Sequence, residues 1–372
     1  MLPIGFFFFL AVATGNKIRN GVSTIGRKMS DEEDLEDYDI EEDEAEEEKE
    51  DKEAEEVEEK EGEEAEEIIP NPLTEEIMKE GLSLLCKTGN GLSHAYVKLE
   101  AKDKELTDIF LLSSYIHLRY VDLSGNRLMS LTPLNNLTHL LWLKVDYNRL
   151  LSAQMSELPY LQIASFAYNQ IYDTEGISHP RLCNLDLKGN KLKKITGLDS
   201  PKLANLHTLE LRGNQLDSTL GLQLPKLKNL YLAQNQLKEI EGLEGLSQLT
   251  TLHLRDNQIH SLKGFSGEMK SLQYLNLRGN AVADLSELSK LKELTRLRAL
   301  VMLENPCTDD TDYRQEVLIQ LPQLERLDKE FFEEEERAEA DEIRRRLKEE
   351  QEQEMEQDMD LYQDKEDGEE NL

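Results

Sequence analysis

Three cysteines in 372 residues, Cys86, Cys183 and Cys307, are too few and too far apart to build a disulfide framework, and their number is odd. Neither they nor the seven histidines stand at a metal-ligand spacing. No local nucleophile signature is present, and no glycine loop has the form that cradles a phosphate; the Gly-Asn and Gly-Leu pairs belong to recurring turns. These absences point away from stapled extracellular domains, metal centres and catalysis, and no cofactor is expected. Long apolar runs are missing too, apart from MLPIGFFFFLAVA at Met1 to Ala13. That stretch is too short to span a bilayer, and no positive charge precedes its apolar core as in a secretory signal. Its Ala-Val-Ala ending is like a cleavage site, whereas Met29-Ser30-Asp31-Glu32 reads as a cytosolic start. Residues 1–28 are therefore either a weak signal-like segment or an alternative beginning, and no membrane partner is expected.

Positive charge is also short, with 43 basic residues against 77 acidic and a net charge of −34. The deficit lies at the ends. Residues 31–67 hold 26 acidic and 3 basic side chains, and residues 328–372 hold 21 and 7, which leaves the middle of the chain almost neutral. The first of these runs has few apolar residues beyond Leu35, Tyr38, Ile40 and Val57, too few to offset the entropy of ordering, so it is expected to be disordered. Such a tail either attracts basic partners, for example histones or tubulin-associated proteins, or merely solvates the chain.

What the middle does have is a period. Asparagines recur at Asn126, Asn148, Asn169, Asn190, Asn214, Asn235, Asn257, Asn280 and Asn305, with apolar side chains eight, five and three residues before each and two after. Leu249, Leu252, Leu254, Asn257 and Ile259 show the pattern L-x-x-L-x-L-x-x-N-x-L. Its L-x-L core reads as a short strand with alternate side chains directed inward, and the Asn side chain can bond the backbone of its own loop and the next. No repeat can bury its apolar face alone, so several must stack. The spacing leaves about a dozen residues per repeat for a short helical or 3₁₀ return. The pattern resembles the leucine-rich repeats of intracellular proteins such as the protein phosphatase 1 regulatory subunit and dynein light chain 1.

The expected architecture is an α/β solenoid, a horseshoe with short parallel strands on its concave face, helical or 3₁₀ turns on its convex face, and a cap at each end. Its divisions are an apolar extension at 1–28, an acidic tail at 29–69, an N-terminal cap and partial repeat at 70–110, about nine repeats at 111–305, a cap at 306–328, and an acidic helix and tail at 329–372. In the first cap, helical spacing runs from Thr74, as N-cap, to Leu85, and Val97-Lys98-Leu99 reads as the partial repeat. In the last segment a helix is expected from Phe331 to about Tyr362, with a thin apolar stripe that includes Phe332, Ile343 and Leu347. That stripe is either the dry side of a solvated single helix or a docking surface.

The binding chemistry is expected on the concave face, among the side chains that alternate with the inward leucines. Two residues before Asn190, Asn214, Asn257 and Asn280 stand Lys188, Arg212, Arg255 and Arg278, a basic ladder interrupted at Ala233, and six before the first two asparagines stand Tyr120 and Trp142, the latter the chain's one tryptophan. Arginine and aromatic residues are the usual anchors of protein interfaces. The plainer alternative is that these residues only solvate the sheet.

Three segments are more specific than the repeat: LTEEIMKEGLSLLCKTGNGL from Leu73, LPYLQIASFAYNQ from Leu158 and RLDKEF from Arg326. They resemble a family of intracellular leucine-rich-repeat proteins of the motile-cilium and sperm-flagellum axoneme, over roughly residues 29–350, with 1–28 outside. The resemblance implies a non-catalytic component of the cytoplasmic cytoskeleton, associated with radial spokes and needed for flagellar motility. Its implied partners are other proteins, radial-spoke head or stalk subunits, with no small-molecule substrate and no nucleic acid. A phosphatase regulatory subunit or an acidic nuclear histone-binding protein would suit the same repeats and tails.

Overall fold

The computed structural model describes residues 69–369 apart from 90, 199 and 200, and the expectations for 1–28 and for the acidic run 31–67 lie outside the described residues. Each L-x-L core forms a three-residue strand. These are β3 (Tyr120–Asp122), β4 (Trp142–Lys144), β5 (Ile163–Ser165), β6 (Asn184–Asp186), β7 (Thr208–Glu210), β8 (Asn229–Tyr231), β9 (Thr251–His253), β10 (Tyr274–Asn276) and β11 (Ala299–Val301). All nine pair in parallel without a register shift, so that Tyr120 lies beside Trp142, Trp142 beside Ile163, and Tyr274 beside Ala299. The central residue of each strand, such as Val121, Leu143 or Leu209, is buried, and its two neighbours open onto the concave face. Burying each inward Leu contributes about 1.5–3 kcal/mol, which only stacking can provide.

The nine asparagines are all buried. Each Oδ1 accepts the N–H of the apolar residue two places beyond the preceding repeat's asparagine position, as Asn214 does from Leu192 and Asn235 from Leu216, at 3.1 and 3.0 Å. Each Nδ2 donates to carbonyls of its own loop and of the repeat before; Asn214 reaches Leu211 and Leu187, both at 3.0 Å. The corner that aims the side chain inward is left-handed at the residue just before it. Glycine fills that place at Gly125, Gly189, Gly213 and Gly279, while Tyr147, Tyr168, Gln234, Asp256 and Glu304 adopt it with φ between 51° and 60°.

The convex side is less regular than the repeat length suggests. Turns of 3₁₀ helix occupy Phe110–Ser114, Thr132–Asn136 and Leu285–Leu291, and the repeats between return through plain turns. There Thr174 and Thr219 are buried; Thr219 accepts the N–H of Glu241 at 2.9 Å and donates to the same residue's carbonyl. Gly264 belongs to the same returns: at φ +107° a Cβ would stand 1.9 Å from the Ile240 carbonyl oxygen.

The N-terminal cap departs from the expected helix. Helix α1 (Glu75–Gly81) begins as read, with Thr74 Oγ1 accepting from the Ile77 N–H at 3.4 Å, but it stops at Gly81. Strand β1 (Leu82–Lys87) follows and pairs antiparallel with β2 (His94–Glu100), which in turn pairs in parallel with β3. Gly81 admits the close approach of the chain to β2, since a Cβ there would meet the Glu100 carbonyl oxygen at 2.3 Å. Leu85, read as part of a buried helical stripe, is instead 58% exposed on the sheet edge. Val97 to Leu99 do start a partial repeat, with Leu99, Ala101, Leu106 and Ile109 buried in the core.

At the other end, helix α2 (Tyr313–Gln320) covers the last repeat, and strands β12 (Arg326–Leu327) and β13 (Glu330–Phe331) close the sheet. Asp328 stands in for the backbone carbonyl that the next repeat would supply, as Val301 does for Leu277, accepting the Met302 and Leu303 N–H groups at 2.7 and 3.1 Å. Tyr313 donates its hydroxyl to the other oxygen at 2.8 Å. Helix α3 (Glu334–Glu369) starts three residues later than expected, because Phe331 belongs to β13 and Phe332 is already packed.

Candidate functional site

Read along the strand stack, the concave face has three columns: the first residue of each strand, the third, and the residue two further on. Every expected concave residue falls in one of them. Tyr120 and Trp142 are lateral neighbours in the first column, half-buried. Lys188, Arg212, Arg255 and Arg278 share the third column but are not an uncompensated ladder. Arg212 pairs with Glu210 at 3.1 Å, Arg255 with Asp256 at 3.0 Å and Arg278 with Glu304 at 2.7 Å. Lys188 lies over the Tyr168 ring at 5.5 Å. Lys188 and Arg212 are also only 5% and 6% exposed, so the sheet supports more of these side chains than sequence position suggested. The acidic half of each pair comes from a neighbouring column or from the left-handed corner, places that the reading of one column alone leaves out.

The same compensation holds toward the N-terminal end, where Lys98 pairs with Glu100, Lys102 with Asp122 and Lys144 with Asp146, at 3.0, 2.9 and 3.1 Å. At the centre, Ser165 Oγ bridges Asp146 and Asp186 at 2.5 and 3.3 Å. Burial, with Asp146 beside it, pushes Asp186 up to about 6. Burial also raises Asp146, against the pull of Lys144 and Ser165. Further along, Tyr231, His253 and Tyr274 form an aromatic row with ring centroids 4.8 and 5.0 Å apart. Burial and the nearby Arg212 push His253 down to about 3, so that ring is a neutral packing element. The face therefore offers polar and aromatic contact area with little net charge, a surface for a folded partner more than a sink for an acidic chain.

The helical half of the expected site divides differently. Phe332 is 7% exposed, with the Arg314 guanidinium 4.3 Å above its ring and Arg337 at 5.6 Å on it. Arg314 also holds Glu336 and the Phe331 carbonyl, at 3.1 and 2.7 Å, and Arg337 donates to the Leu324 carbonyl at 2.7 Å. Phe332 is thus a peg that fixes α3 to the cap, not a free docking residue. Ala340 is buried in the same contact. Ile343 is half-buried, and Leu347, at 43%, is the first residue of the stripe to face solvent.

Position reading missed two features. Tyr147 and Tyr168 stack at 4.5 Å on the left-handed corners of adjacent repeats, where glycine is the easier residue. One rim of the sheet carries His139 stacked on Tyr160 at 5.9 Å, with Arg181 over the same ring at 4.9 Å. Both are visible in the sequence once the columns outside the strands are aligned. Among the described residues no group of three or more His, Cys, Asp and Glu is placed to hold a metal, and no helix is long and apolar enough to cross a membrane.

A leucine-rich repeat family model matches residues 205–359, and a second, also described as leucine-rich repeat, matches 117–140. Leucine-rich repeat-containing protein 23 of Homo sapiens is 74% identical over 295 residues, covering 79% of this chain and 86% of that one. The Bos taurus protein of the same name is 76% identical over 318 residues, 85% and 93% of the two chains. A shorter match, 37% identical over 92 residues, is to acidic leucine-rich nuclear phosphoprotein 32 family member A of Drosophila melanogaster, covering 25% of this chain and 35% of that one.

Proposed function

The chain belongs to the leucine-rich repeat-containing protein 23 family, and from that premise we propose that it is a non-catalytic scaffold of the motile-cilium and sperm-flagellum axoneme, attached to radial spokes and needed for motility. Its partners are radial-spoke head or stalk subunits, and its place is the cytoskeleton of the cilium. The observation that carries this reading is the identity of 74–76% over most of the chain with that family. The resemblance described above ties the segments from Leu73, Leu158 and Arg326 to axonemal proteins. The concave face supports it physically, since paired charges and rows of Tyr and Trp favour contact with another folded surface. A second reading, an acidic nuclear protein or a phosphatase regulator, has the shorter nuclear-phosphoprotein match and the acidic ends in its favour.

Fractionation separates the two. Motile cells are extracted with detergent, and the axonemes are then washed with high salt or chaotrope. The axonemal reading expects the protein to stay with the detergent-extracted axoneme and to leave only in the second wash. Recovery in the detergent supernatant, together with a phosphatase or with chromatin, would replace it with the second reading.

A further inference from the structure

One rim of the solenoid carries cations with no acidic residue interspersed, in contrast to the paired charges of its concavity. In each repeat the chain enters its strand through four residues, from ten to seven before the asparagine. Over the nine repeats these thirty-six positions hold seven Lys or Arg and no Asp or Glu, in a chain whose net charge is −34. The cations are Arg119, Arg181, Lys226, Lys228, Lys270 and Arg296, all exposed, and a half-buried Arg298.

The structure places them in line. The residues seven before each asparagine are joined repeat to repeat by backbone bonds. Leu141 N–H donates to Arg119 at 2.8 Å, Lys228 to His207 at 2.8 Å and Arg298 to Gln273 at 2.9 Å. The residues nine before are aligned beside them, as shown by the Arg181–Tyr160 contact and by Lys226 Nζ on Asn205 Oδ1 at 3.0 Å. Arg298 pairs with Glu325 of the cap, but among the described residues the six exposed cations form no ion pair. Of the carboxylates nearest in sequence, Asp122 is paired with Lys102 at 2.9 Å and Glu293 accepts the Gly267 N–H at 3.0 Å, while Glu268 stands two residues from Lys270 without pairing to it.

We propose that this rim is a docking site for an acidic, extended segment of a partner protein. With strands about 4.8 Å apart, nine repeats span roughly 38 Å, the length of about twelve residues in extended form. The cations are separated by one to three repeats, about 5–14 Å, a spacing that carboxylates on alternate residues of an extended peptide can follow. A nucleic acid carries a charge about every 1.7 Å along its whole length. Cations about 5–14 Å apart leave most of that charge unmatched, whereas a short acidic peptide can place its carboxylates at the cations' own spacing. The proposal rests on the scaffold reading above but not on its axonemal placement, so fractionation can fail while this binding stands.

The test uses the full chain and a fluorescent twelve-residue peptide of glutamate, read by anisotropy at low salt and again at about 0.3 M. Two variants shift net charge by the same amount: Arg181→Glu/Lys226→Glu/Lys228→Glu on the rim, and Lys193→Glu/Lys194→Glu/Lys263→Glu on exposed convex positions. All six side chains are exposed, and unchanged melting is the check that each variant folds. The expected result is binding that weakens at least tenfold with salt and at least tenfold in the rim variant, with the convex variant within about twofold of the parent. No binding, or equal loss in both variants, overturns the proposal. So does tighter, rim-dependent binding of duplex RNA or of vesicles rich in anionic phospholipid. A salt-sensitive oligomer that only the rim variant turns into monomer would put a second copy of the chain in the partner's place and overturn it as well.

Discussion

Replacing Asn214 by Ala isolates the bond that makes the repeats cooperative. The Leu192 N–H has Asn214 Oδ1 as its acceptor at 3.1 Å, and Ala leaves that buried donor with nothing in reach. An orphaned buried amide costs about 1–3 kcal/mol. Two carbonyls are hurt less: Leu187 keeps the Asn190 side chain at 3.0 Å, and Leu211 keeps that of Asn235 at 3.0 Å, each going from two side-chain donors to one. A loss of about 2–3 kcal/mol is therefore expected for Asn214→Ala. Asn235→Ala orphans Leu216 in the same way. Because both asparagines donate to Leu211, the double variant strips that carbonyl and should cost more than the sum of the singles. Asn148→Ala with Asn280→Ala, in repeats that share no such carbonyl, should simply add. The assay is urea unfolding followed by circular dichroism, with m-values compared to confirm that the same unit unfolds. Single variants within about 0.5 kcal/mol of the parent would refute the ladder as the source of cooperativity.

Three further outcomes follow from the packing and the buried charges. Gly264→Ala should lose about 2 kcal/mol or more, because its Cβ meets the Ile240 carbonyl at 1.9 Å, while Gly245→Ala, with nothing within 4 Å, should be neutral; thermal melts compare the two. Phe332→Ala should cost about 3 kcal/mol locally and release α3 from the cap, seen as faster proteolysis after residue 332 with the repeats still protected. Stability should fall as pH drops from 6.5 toward 4. Burial holds His179 down to about 4, burial and Arg212 hold His253 at about 3, and the unfolded chain takes up protons that the folded one refuses. Asp186, held up to about 6, and Asp146, also raised by burial, oppose this as they take up protons in the folded chain, but the two histidines set the direction between pH 6.5 and 5. A urea midpoint that is flat or rising between pH 6.5 and 5 would contradict the assignment.

The strand register was legible to the residue, because the nine asparagines count it out and each is fixed by a bond to the repeat before. Those bonds are local in the repeat, so spacing alone reports them. The end of α1 was not legible, since Leu82 and Leu85 fit a helical period as well as a strand and only pairing with β2, remote in spacing from the repeat, distinguishes them. Phe332 misled for a similar reason: helical spacing reveals an apolar stripe but not that Arg314 and Arg337 cover its first member. At the concave site, position placed every side chain on the correct face, but charge state depends on pairs across columns. Arg278 looks free in its own row and is tied to Glu304 in another. The rim was overlooked because its meaning is an absence of acid over nine repeats, which no single motif displays.

A scaffold of the axoneme occupies one fixed position in it, and electron tomography of detergent-extracted axonemes locates such a position. The protein carries a dense tag after its last residue and replaces the endogenous copy in motile cells. The prediction is added density at one repeating position on the radial spokes in the averaged map, with motility retained. Density at no fixed site, with the tagged protein in the detergent-soluble fraction of fully motile cells, would contradict it.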